Sequence, residues 1–228
     1  MTLVVGRLAG SGFARKRGVL EVKRVRLSGA ARRQQIIEVA ADLFSRKGFG
    51  GTTTKQVAQA IGVSETTIFK HFASKEELYA AIIEAKAHTE EILGSVTPVA
   101  SQQDDAGLLR SLARQMIARV QRDPALMRLL LFSALEGHSL SDLFFRSHMQ
   151  RIDDFLGRYI ADRVAAGAFR PVDPTQAAWN FIGMVTHHIL LRELFGQKPL
   201  PHLTVDQIIE EIVSLFLEGV RASLRPPP

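Results

Sequence analysis

From Ala30 to Val220, apolar side chains recur at three- and four-residue spacing, and period-2 alternation persists nowhere. The pattern therefore predicts helices throughout and an all-α fold. The first predicted helix turns Ile36, Ile37, Ala40, Leu43 and Phe44 inward and stops at Gly48, after "SRK". "GFGGTTT" then reads as a loop, and Thr53 with Gln56 has the T-x-x-Q spacing of a capping box. A short helix over 53–60 follows, with Val57, Ala58 and Ile61 inward, and ends at Gly62. Ser64 is placed to cap a third helix over 64–71, where Ile68 and Phe72 share a face. Ser74-x-x-Glu77 is a second capping box and opens a longer helix carrying Leu78, Ile82, Ala85, Thr89 and Ile92 on one side.

"GSVTPVASQQDDAG" reads as a polar linker, and beyond it helices are predicted at 105–122, 124–136, 139–166, 173–195 and 204–223. Pro124, Gly137, Gly167, Pro171 and "FGQKPLPHLT" punctuate them. No internal repeat is visible. The expected organisation is a basic, mostly disordered arm at 1–29, a helix-turn-helix unit at 30–75 and a helical domain at 76–228, about nine helices in all.

Charge sharpens that division. Residues 1–75 hold fourteen Lys/Arg against four Asp/Glu, whereas 76–228 hold fifteen against nineteen, so a net +10 sits on a net −4. A basic first third points to a polyanionic partner. Seven of those basic residues lie in the arm, as Arg7, Arg15, Lys16, Arg17, Lys23, Arg24 and Arg26, and read either as a phosphate-binding extension or as a solvated tail. The chain has no cysteine, which excludes disulfides, thiolate catalysis and Cys-based zinc sites. It has no apolar run of eighteen residues and no secretory h-region, so a soluble, cytoplasmic protein without membrane contact is expected.

The segment "GVSETTIFKHFASKEEL" buries little and shows many hydrogen-bonding groups. Two short helices around Gly62, braced by a preceding one, make a helix-turn-helix, whose second helix needs only an apolar anchor because its other faces meet bases and phosphates. The run "GFGGTTTKQVAQAIGVSETTIFKHFASKEELYAAII" resembles the DNA-binding domain of the TetR/AcrR family of bacterial transcriptional regulators. Thr52-Thr53, Val57-Ala58, Gly62-Val63-Ser64, Phe72 and Ser74-Lys75-Glu76 carry the likeness, which covers about residues 30–93. Thr66 stands where the family usually has Gly, and Phe69 where it usually has Tyr; a tyrosine-to-phosphate hydrogen bond, worth about 1 kcal/mol, is then missing. The resemblance implies a homodimeric repressor, released from a palindromic double-stranded DNA operator by a small, largely apolar effector. Thr53, Lys55 and Lys75 are expected at phosphates. Ser64, Glu65, Thr66, Thr67, Phe69, Lys70 and His71 are expected on the DNA-facing surface.

In 204–223, apolar residues cover more than one stripe, as they do in 177–195. Such helices need partners on two sides, and the resemblance implies that the helices near 173–195 and 204–223 pair with their mates in a four-helix bundle. Met116, Phe132, Phe144, His148, Trp179, Phe181, Met184 and His188 are the candidate effector-binding residues, large soft groups with a few polar ones among them. Adjacent His187 and His188 point to different helix faces and have no H-x-x-x-H partner, so no metal and no cofactor are expected. The competing readings are an architectural DNA-binding protein without an effector and an all-α enzyme. The second lacks any G-x-S-x-G, H-E-x-x-H, P-loop or Rossmann signature.

Overall fold

The computed structural model describes residues 27–137, 142, 145–197 and 202–221. Residues 1–26 of the basic arm, and Phe144, lie outside them. The described elements are α1 (Gly29–Lys47), α2 (Thr54–Ile61), α3 (Glu65–Phe69), α4 (Lys75–Ala87), α5 (Thr89–Ser101), α6 (Asp105–Arg122) and α7 (Ala125–Leu135). A π-turn (Phe145–Met149) leads into α8 (Gln150–Ala165). Then come α9 (Pro174–Ile189), extended by a second π-turn (Leu190–Leu194), and α10 (Val205–Val220). Among the described residues the one extended pairing is an isolated bridge between Phe169 and Arg221, and the fold is all-α as expected.

Two apolar clusters organise these helices. The first joins Ile36, Ala40 and Phe44 of α1 to Val57, Ile68 and Phe72, and then to Leu78, Tyr79 and Ile82 of α4. Leu129 of α7 belongs to the same cluster, so α7 lies across α1 and α4. Tyr79 marks that seam: it is fully buried, and its hydroxyl donates to the Leu129 carbonyl at 2.7 Å. Burial pushes the phenol up to about 12. The second cluster gathers α5, α6, α8, α9 and α10 around Leu108, Leu112, Leu156, Phe181, Val185 and Ile209. Met149 packs against both clusters.

Two expectations are corrected here. The long fourth helix breaks at His88, whose backbone is left-handed (φ 49°), and α5 restarts at Thr89. The predicted linker after it is mostly helix: α5 runs to Ser101 with Pro98 inside it. Ile92 and Val96 are buried on its inner face, with Leu93, Val99 and Ala100 packed beside them. Pro98 removes one ladder donor. The hydroxyls of Ser95, Thr97 and Ser101 bond instead to the carbonyls of Ile92, Leu93 and Thr97.

Candidate nucleic-acid interface

The α2–α3 pair is built by its caps as well as by its core. Thr53 Oγ1 accepts the Gln56 N–H at 3.1 Å, and the Gln56 side chain accepts the Thr53 N–H at 3.0 Å, a complete capping box. At the other end of α2, Gly62 takes a left-handed conformation (φ 76°, ψ 39°), and the Val63 N–H bonds back to the Ala58 carbonyl. That reversal needs a residue without a Cβ penalty and sets the angle at which α3 leaves α2. Ile68 and Phe72 then sink α3 into the cluster under α1, and Arg33 covers the Phe72 ring at 4.8 Å. Each such buried side chain stabilises the unit by about 2 kcal/mol.

With the anchors inward, Thr53, Lys55, Ser64, Thr66, Phe69 and Lys70 are all exposed, while Thr67 and His71 are half-buried. Phe69 keeps 47% of its surface open. Helical hydrogen bonding continues past the last residue of α3, from Lys70 N–H to Thr66 O and from Phe72 N–H to Ile68 O, so Lys70 and His71 stay on the helical path. The structure therefore leaves most of these predicted residues at the surface of α2 and α3.

Three of them sit differently from expectation. Ser64 heads α3 without an amide hydrogen bond; its hydroxyl shares a 2.9 Å bond with Thr67 Oγ1. Glu65 is turned towards α2, where Thr54 Oγ1 donates to its carboxylate at 2.5 Å. That bond ties the two helices of the motif together. Lys75 points into the unit: its ammonium donates to the Phe49 carbonyl and lies 4.1 Å from the centre of the Phe49 ring. Burial holds its pKa below the usual lysine value, against the pull of Glu76 and Glu136. The second capping box is also offset. Ser74 Oγ accepts the Glu77 N–H, but the Glu77 carboxylate takes the N–H of Ala73.

Sequence reasoning took Thr52 only as part of the family likeness and passed over Thr54, which a run of three threonines could have flagged. Thr52 is fully buried and its hydroxyl donates to the Gly48 carbonyl at 3.0 Å, closing the loop between α1 and α2.

The candidate effector residues do not gather in one place. Phe181 is buried and packs edge-on against Phe216 at 5.2 Å. Met116 is half-buried on the second cluster. Phe132 lines a groove of about 420 Å³ with Ser45, Arg46 and Leu131, between α1 and α7. His148 is buried where α4, α5 and the first π-turn meet, within 3.1 Å of Thr89 Oγ1 and 3.2 Å of Glu84 Oε2. His188 has a buried Nε2 without a protein partner, and burial lowers its pKa. Trp179 is half-exposed on α9, with its indole N–H given to Asp153. Met184 lines a groove of about 430 Å³ between α9 and α10, together with Asn180, Leu215 and Phe216.

Comparison with known proteins follows the same division. Residues 36–82 match the family described as bacterial regulatory proteins, tetR family, and residues 107–219 match the AefR-like transcriptional repressor C-terminal domain. The chain is 26% identical to the HTH-type transcriptional regulator RutR of Escherichia coli (strain K12) over 200 residues, covering 84% of this chain and 92% of that protein. It is 28% identical to the nucleoid occlusion factor SlmA of Vibrio cholerae over 159 residues, 68% of this chain and 80% of that one. Among solved structures, AibR in complex with isovaleryl coenzyme A and operator DNA superposes with a TM-score of 0.60 at 27% identity, over 81% of this chain and 97% of AibR. A TetR-family regulator from Mesorhizobium loti shares the fold (TM-score 0.65, 24% identity, 86% of this chain and all of that one). The capped helix pair and the all-helical domain behind it, matched by both family descriptions, make this chain a member of the TetR family of transcriptional regulators.

Proposed function

We propose that the protein is a homodimeric repressor that reads a palindromic operator with α2 and α3 and leaves it when a small, largely apolar effector enters the C-terminal domain. The observation that carries this is the exposure of Thr53, Lys55, Thr66, Phe69 and Lys70 on two short helices held by two buried anchors. Lys55 and the first turn of α2 take phosphates, as cations and free helix-terminal amides do. Thr66, Thr67 and Lys70 meet base edges in the major groove, and Phe69 packs on the sugar-phosphate edge. The AibR complex, which holds an acyl thioester and operator DNA in one molecule of like fold, supports joining both roles in a single chain.

The proposed dimer pairs α9 and α10 with their mates. Trp179 and Leu215 are 50% and 62% exposed there, on the two helices that flank the α9–α10 groove. One such head reads a half-site, and the pairing sets two heads about 34 Å apart, one turn of B-DNA. An effector then acts by binding better to the arrangement in which the heads no longer match that spacing. The protein works in the cytoplasm, where the chromosome is. The test is fluorescence anisotropy on the DNA upstream of its own gene, with a scrambled duplex, across a salt series. Preference for the native fragment by about a thousandfold supports the reading; no binding to either duplex at low salt rejects it.

A further inference from the structure

The loop Gly48–Gly51 between α1 and α2 is gripped from two sides. From the head, Lys75 binds its Phe49 carbonyl. From α7, the Glu136 carboxylate accepts the Gly50 N–H through both oxygens, at 3.2 and 3.4 Å, across 86 residues of sequence. Gly48 has φ 74°, and Glu136 Oε1 lies 2.3 Å from where its Cβ would be, so the carboxylate fills the space a side chain would take. Glu136 and Lys75 attract one another across the loop.

The position of that carboxylate is the informative part. Glu136 is the C-terminal cap of α7, the end where the helix dipole disfavours an anion. Lys75 and the Gly50 amide are what make up for it. The loop they fix leads, through the buried Thr52, straight into the capping box of Thr53 and the first turn of α2.

We infer that Glu136 is a positioning residue for DNA binding: from the end of α7 it holds the α1–α2 loop, and through it the phosphate-facing start of α2. This rests on the proposed role of α2 and α3. It also gives α7 a second hold on the head besides the Tyr79 contact, one that a small shift of the α7 end breaks. The effect of removing it has a diagnostic sign. Deleting an exposed carboxylate near a DNA-facing surface strengthens DNA binding by simple electrostatics; losing a positioning contact weakens it.

The experiment uses the full-length protein and a duplex it selects from a random-sequence library. Glu136→Ala should weaken binding to that duplex by about tenfold, the worth of a charge-assisted hydrogen bond. The salt slope should change by less than the removal of one basic residue changes it, because every lysine and arginine remains. Amide exchange should quicken over residues 48–52 while the melting temperature stays near wild type. Glu136→Gln, which keeps an acceptor oxygen, should recover part of both effects. Wild-type or tighter binding by Glu136→Ala would overturn the inference, as would faster exchange throughout the head, which marks a merely structural role. Failure of the wild-type protein to select any duplex would overturn the parent reading and this inference with it.

Discussion

At the scale of single residues, Glu65 shows how one carboxylate serves two conflicting demands. It accepts from Thr54 and so braces α3 against α2, yet it places a negative charge on the face assigned to DNA. Glu65→Gln keeps an acceptor and removes the charge. Binding to specific and random DNA should therefore both tighten, by about threefold at low salt, the scale of one partly exposed charge interaction. A gain confined to one sequence, read by anisotropy on both duplexes, would mean that Glu65 reads a base. Asp153 behaves in the opposite sense, because it is buried. Desolvation raises its carboxyl above the usual range, the Trp179 hydrogen bond opposing it. With the folded value raised, the native state holds the proton longer, so stability is lost as pH rises through that window. Asp153→Asn should therefore melt higher than wild type at pH 7. The gap should close as the buffer is taken below about pH 4, the unfolded value of an aspartate; thermal melts at both pH values test it.

At the scale of elements, the turn between α2 and α3 offers the cleanest substitution. No atom lies within 4 Å of a Cβ built on Gly62, so Gly62→Ala meets no neighbour and suffers only the left-handed backbone. It should cost about 1 kcal/mol in denaturant unfolding; a much larger loss would point to a shift of α3 itself. That turn was legible in the sequence, as were the Thr53–Gln56 box and the anchors Ile68 and Phe72, because caps and short-range periodicity are local signals. The linker reading of 94–107 failed for the same reason in reverse. Gly94, Pro98 and three hydroxyl residues are local breaker signals, but Ile92, Val96 and Val99 keep the helical spacing, and burial against α6 prevails over propensity. The kink at His88 was illegible, since a histidine in left-handed backbone is imposed from outside. Arg119 donates to the Lys86 carbonyl, and Lys86 pairs with Asp123, so the end of α4 is held by α6. The intramolecular partners of Lys75 and Glu136 were obscure in the same way, because they are a loop carbonyl and a loop amide that no spacing rule locates.

At the scale of the whole molecule, the proposed function depends on how the two apolar clusters are joined and on the proposed pairing of α9 and α10 with a second copy. Leu215, 62% exposed on α10, tests the second point. Leu215→Asp should turn the proposed dimer into a monomer by light scattering and reduce operator affinity by about a hundredfold or more, since one head then reads a half-site alone. A variant that stays dimeric would move the pairing surface elsewhere. The other helix of the proposed pair, α9, carries Trp179, the only tryptophan in the chain. Half-exposed and hydrogen-bonded to Asp153, it is a native fluorophore placed at the proposed seam. Its emission should shift to the blue when water is excluded from that face and to the red on dilution. Assembly could then be followed by the intrinsic light of the unlabelled protein, with no dye added to either copy.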